Sequence, residues 1–175
     1  YSKGKWDESI RHCEEALRLA PTYATAHVTL GAALCGKGKR DEGVGHLEQA
    51  LRLDPKDIRA YYNLGTVLRE QGKWDEAITC FRKAIEIEPK KADAHHNLGF
   101  LLGHNGAWDE AIACYRKAIE IDPKLANAQI GLGSALGQKG AWDEAIASYR
   151  RAMDLQPKEC GRLAGVLANC PDLKY

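Results

Sequence analysis

Residues 131–137 read GLGSALG, a glycine spacing that could bring backbone amides up to a pyrophosphate. Such a loop must follow a strand and open a helix. Here the glycines lie inside a helical pattern, in register with Leu98-Gly99, and no strand precedes them. GKGKR at 36–40 lacks both the spacing and the Ser/Thr of a phosphate loop. His95, His96 and His104 are metal-ligand types, but ligands on one helix face need i, i+4 spacing and these do not give it. His95 stands in the position of Tyr61 and His27, a helix-packing site, and His96 is expected to face a groove. Asp-Glu pairs recur at 7–8, 41–42, 75–76, 109–110 and 143–144. General acid–base work needs one unusual environment rather than five equivalent ones. Negative charge at a helix start explains the pairs. The chain therefore reads as non-catalytic, with no cofactor and no metal.

The totals agree. Of 175 residues, 25 are basic and 24 acidic, so a net charge of +1 gives no electrostatic case for nucleic acid or an acidic membrane. No apolar run approaches the ~20 residues of a membrane span. With 45% apolar residues, the chain can bury a core. It starts at Tyr1 and has no signal peptide, which suggests a piece of a longer protein or a processed product. Cys13, Cys35, Cys80, Cys114, Cys160 and Cys170 form no C-x-x-C, so a zinc or redox motif is not written here. Buried or half-buried free thiols are expected, favouring a reducing cytoplasmic compartment, with an extracellular one open to a filament.

What must position these residues is a period. Prolines 21, 55, 89, 123 and 157 are spaced by 34, as are Gly4, Gly38, Gly72, Gly106 and Gly140. Trp6, Trp74, Trp108 and Trp142 keep the register, with Arg40 replacing one copy. Leu64, Val67, Leu68 and Gln71 form one helical face, with Tyr61 a turn earlier. Ala77, Ile78, Phe81, Ala84, Ile85 and Ile87 form a second. Gly72 ends the first helix and Pro89 stops the second. Two helices of roughly 12–14 residues per period are predicted, and no strand.

NLGTVLREQGKWDEAITCFRKAIEIEP, residues 63–89, resembles the tetratricopeptide repeat. The resemblance covers repeats at 24–57, 58–91, 92–125 and 126–159, with a half repeat (second helix) at 1–23 and a terminal helix and tail at 160–175. It implies an all-α right-handed superhelical solenoid of antiparallel helix pairs, the first helix of each lining a concave groove. Gly43 for the usual alanine, and Cys13 or Leu47 for the usual aromatic, lead us to expect looser packing in 24–57 than in 58–91. LANCPD after the last repeat is similar to junctions in multi-domain bacterial proteins with such arrays.

The family's role would be a non-catalytic protein or peptide scaffold. Its groove positions fall on Arg59, Tyr62, Asn63, Thr66 and Arg69, then Asp93, His96, Asn97, Phe100 and His104, then Asn127 and Ile130. Val28 and Ala32 stand where a carboxylate clamp would need lysine and asparagine. Asn63 and Asn97 resemble the asparagine ladder of O-linked N-acetylglucosamine transferases, since an amide both donates and accepts. A solvated polar face explains them equally. The alternative functions are a regulatory segment of a larger protein, or a head-to-tail homo-oligomer or filament. The last would join Ile10, Cys13 and Leu17 at one end to Leu163, Val166 and Leu167 at the other.

Overall fold

The structure is a computed structural model that describes residues 3–157. Every element among them is helical: α1 (Lys3–Leu19), α2 (Ala24–Gly36), α3 (Arg40–Leu53), α4 (Ile58–Glu70), α5 (Trp74–Ile87), α6 (Ala92–His104), α7 (Trp108–Ile121), α8 (Ala126–Gln138) and α9 (Trp142–Leu155). From α2 onward, helices of 13 and 14 residues alternate. The chain forms two compact units, divided after Pro89. The first holds α1 to α5 and the second α6 to α9.

Two local rules produce the alternation. Each first helix ends in a glycine with positive φ: Gly38 at +90°, Gly72 at +74°, Gly106 and Gly140 at +77°. At Gly72 its own N–H donates to Arg69 O (3.0 Å) and the Lys73 N–H donates to Leu68 O (2.9 Å). This paired arrangement satisfies carbonyls that the helix end leaves open. The same two bonds recur at Gly38, Gly106 and Gly140. Each second helix ends before a proline, whose ring drives the preceding residue out of the helical region. Asp54, Glu88, Asp122 and Gln156 accordingly have φ between −129° and −135°. The N-terminal stretch differs. Helix α1 passes through Gly4 without a turn.

Packing follows the double stripe. Leu64, Val67 and Leu68 of α4 meet Ala77, Ile78, Phe81 and Ala84 of α5, all buried. Phe81, Leu47 and Leu101 are the largest side chains with almost no exposure. Each is worth roughly 1.5–3 kcal/mol of apolar burial. At Gly31 the packing in 24–57 is no looser than at its counterpart Gly65. A Cβ at Gly31 would lie 2.8 Å from the Leu47 side chain, whereas one at Gly65 would lie 3.1 Å from Phe81. At this position α3 leaves α2 less space than α5 leaves α4. Gly43 is why: a Cβ there would stand 2.3 Å from Cys35 Sγ, so the glycine makes room for the thiol.

The recurring tryptophans are half-buried. Their rings cover glycines of the first helices, with Gly103 under Trp108, Gly137 under Trp142 and Gly36 under Trp6. The recurring aspartates do more than complement helix dipoles. Asp7 pairs with Lys37, Asp41 accepts from Gln71 Nε2 at 3.2 Å, and Asp109 pairs with Lys139 at 2.6 Å. Each contact spans 30 residues and joins one pair to the next. These exposed contacts are weak singly.

Candidate functional site

On the first-helix face of the first unit, several predicted groove residues are already engaged. The Asp57 carboxylate, buried at the start of α4, accepts from the N–H groups of Arg59 (2.9 Å) and Ala60 (3.3 Å). The Arg59 guanidinium grips the same carboxylate, Nη2 to Oδ2 at 2.7 Å and Nε to Oδ1 at 3.2 Å. It also reaches Thr25 Oγ1 at 3.4 Å. Burial opposes the charge on Asp57, but the Arg59 side chain and the two amides outweigh it and hold the carboxyl below its usual range. Tyr62 stands edge-on to Phe81, with ring centres 5.8 Å apart. The Thr66 hydroxyl donates to Tyr62 O at 2.9 Å, within its own helix. Asn63 and Arg69 are half-buried.

The second unit has a cavity. Asp93, Phe100, His104 and Asn127 are exposed, His96 and Ile130 half-buried, and Asn97 buried. Phe100, exposed at 44%, stands at the rim of a pocket of ≈ 190 Å³ between α6 and α8. Gly103, His104, Trp108, Tyr115, Gly131, Ser134 and Ala135 complete its lining. Tyr115 is buried, with His96 packed on it at 5.8 Å between ring centres. Desolvation, with Cys114 adding to it, pushes the phenol up to about 12, so the ring is neutral.

The pocket depends on one glycine. A Cβ at Gly131 would come within 2.4 Å of the Tyr115 ring. Gly131 occupies the register of Asn63 and Asn97, and Tyr115 that of Phe81. Sequence reasoning read Gly131 as one of several glycines inside a helical pattern and missed Tyr115, Trp108 and Ala135. The signal was present: an asparagine position turns to glycine one helix after a phenylalanine position turns to tyrosine. The two predicted ladder amides differ in burial, with Asn97 only 7% exposed.

Cys13 and Cys80 are buried, Cys35 and Cys114 half-buried, all four as thiols. Burial, with Glu76 and Glu48 contributing, raises Cys80 to about 11, which makes it a poor nucleophile. Among the described residues no group of three or more His, Cys, Asp or Glu side chains could hold a metal, and no helix is long and apolar enough to cross a membrane. Of the N-terminal residues expected to await a partner, Cys13 is buried, while Ile10 and Leu17 are half-buried. Cys13 forms a cluster with Leu30 and Leu34 of α2, and Ile10 and Leu17 pack against it. Leu19, 72% exposed, is the large apolar residue that α1 leaves open. Leu163, Val166 and Leu167, like Cys160 and Cys170, lie outside the described residues.

The tetratricopeptide repeat model matches residues 22–90, 56–124 and 90–158. A crystal structure of MamA is similar at 29% identity, covering 91% of this chain and 93% of that one, with a TM-score of 0.81. YrrB, described as a repeat protein of this kind with an unusual peptide-binding site, is similar at 26% identity, covering 94% and 84%, with a TM-score of 0.78. MamA from Desulfovibrio magneticus RS-1 shares the fold at 22% identity, covering 89% and 88%, with a TM-score of 0.80. No curated protein matches the chain.

Proposed function

The chain belongs to the tetratricopeptide repeat family, and from that premise we propose that it is a non-catalytic scaffold that receives an extended peptide on its first-helix face. The observation that carries this reading is the pocket under Phe100. It is small and walled by rings, with Ser134 and His104 the polar side chains among its lining. Such a cavity suits one apolar side chain of a guest, with neighbouring polar groups left to hold its main chain. Asn127, exposed on α8, is the amide proposed for that second task. Asn97 is proposed in a supporting role only, since its amide is buried. The similarity to YrrB adds support, because that protein carries a peptide-binding site by its own description.

The test is selection from a displayed library of random peptides, followed by calorimetry on the enriched sequences. Enrichment of one large aliphatic or aromatic residue is expected, with affinity lost on Phe100→Ala. Truncating a central aromatic anchor costs about 2 kcal/mol or more where it is a hot spot, roughly thirtyfold in Kd. Selected peptides that bind Phe100→Ala as well as the parent would sink the reading.

A further inference from the structure

His27 and His46 form a contact in the first unit that peptide capture does not use. His27 lies on α2, 9% exposed, and its Nε2 is 3.0 Å from the carbonyl oxygen of Pro21. A carbonyl only accepts, so this nitrogen carries a proton. The other ring nitrogen, Nδ1, lies 3.0 Å from Nδ1 of His46 on α3, with ring centres 5.2 Å apart. Between two nitrogens at that distance there is room for one proton. His46 Nδ1–H therefore donates to the lone pair of His27 Nδ1.

The arrangement tolerates one extra proton and not two. A first proton on His46 Nε2 leaves the inter-ring bond intact. A second must occupy the lone pair of His27, which turns the acceptor into a donor and sets two N–H groups and two cations face to face. Because His27 is buried and tied to Pro21, the half-buried His46 must give way, and with it the contact between α2 and α3.

We propose that the His27–His46 pair is a pH-sensitive latch between α2 and α3, closed near neutrality and released in mild acid.

Charged groups around the pair bear on it. Glu42 on α3 and Glu14 on α1 favour protonation of His46, and Lys37 and Lys39 line the same cavity and oppose it. The balance runs against the proton. Burial first, then repulsion from His27 once both rings are charged, hold His46 below its ordinary 6.5 despite the two glutamates. A base depressed in the folded state contributes stability that is present above 6.5 and lost as pH falls through the folded value. The release window therefore lies below 6.5.

The same register in the other pairs holds Tyr61 with Cys80, His95 with Cys114, and Gln129 with Ser148. Two imidazoles face each other only here. The last pair supplies a non-titrating replacement that the fold already accepts, with both residues buried.

The experiment is hydrogen exchange of the whole chain across pH 8 to 5, corrected for the intrinsic rate. Protection in α2 and α3 is expected to fall below 6.5, by up to about tenfold per pH unit for each proton taken up. Helices α8 and α9 should not follow. In the double variant His27→Gln with His46→Ser the fall should vanish. An equal fall in the variant would overturn the latch. If the variant does not fold, imidazole resonances of the parent chain decide. Coupled titration of the two rings, with the step that charges both lying below 6.5, supports the pair, and two independent titrations refute it.

Discussion

Gly43 shows how two departures from the repeat pattern cancel. Its missing Cβ is the space that Cys35 Sγ fills, and Gly31 O lies 2.7 Å from where that carbon would be. Gly43→Ala should cost about 1–3 kcal/mol, as overpacking does. Cys35→Ala should restore part of this, because the sulfur can leave but the carbonyl cannot. Denaturant melts of the two single variants and the double would show the coupling, and simple additivity would contradict it. Asp57 is a second specialised residue, the one side chain among the helix starts from α2 onward that caps its helix. Asp57→Ala should cost about 0.5–2 kcal/mol at neutral pH. Its carboxyl is depressed in the fold, so this stability is present above 3.8 and lost as pH falls below it. Acid melts of the variant should show a shallower decline below that point.

For the elements, period and turn chemistry made the helices readable. Apolar spacing, the glycines at each first-helix end and the prolines after each second helix account for every helix from α2 to α9. Side-chain pairing between helices was harder to read. The meeting of Gly131 with Tyr115, and of His27 with His46, depends on which residues share a height across two helices, and one-dimensional spacing does not carry that. The run through Gly4 was missed for a related reason. Its glycine matches the others in type and spacing, and neither says whether a helix stops there. Trp108 and Trp142, at second-helix starts, pack against glycines and stay half-buried. Trp108→Ala should therefore cost less than the ~3–5 kcal/mol of a fully enclosed ring, as thermal melts would show.

Across the molecule, contacts run mainly between neighbours in sequence, so stability should be distributed along each unit rather than held in one centre. Helix α1 packs chiefly on α2, and its Ser9 and Ala16, in register with Ala77 and Ala84, stay half-buried. Exchange protection in the first unit should rise from α1 toward α4, and a uniform profile would contradict the nearest-neighbour picture. The four helix-ending glycines have a consequence for chirality. Each sits at φ +74° to +90°, exposed to solvent, where an L residue is strained and its mirror image is at ease. D-alanine at Gly38, Gly72, Gly106 and Gly140, installed by chemical ligation, should keep every turn and restrict only the unfolded chain. Each exchange should add roughly 0.4–1 kcal/mol. A handedness that natural side chains cannot use thus becomes four separate points for stiffening the array.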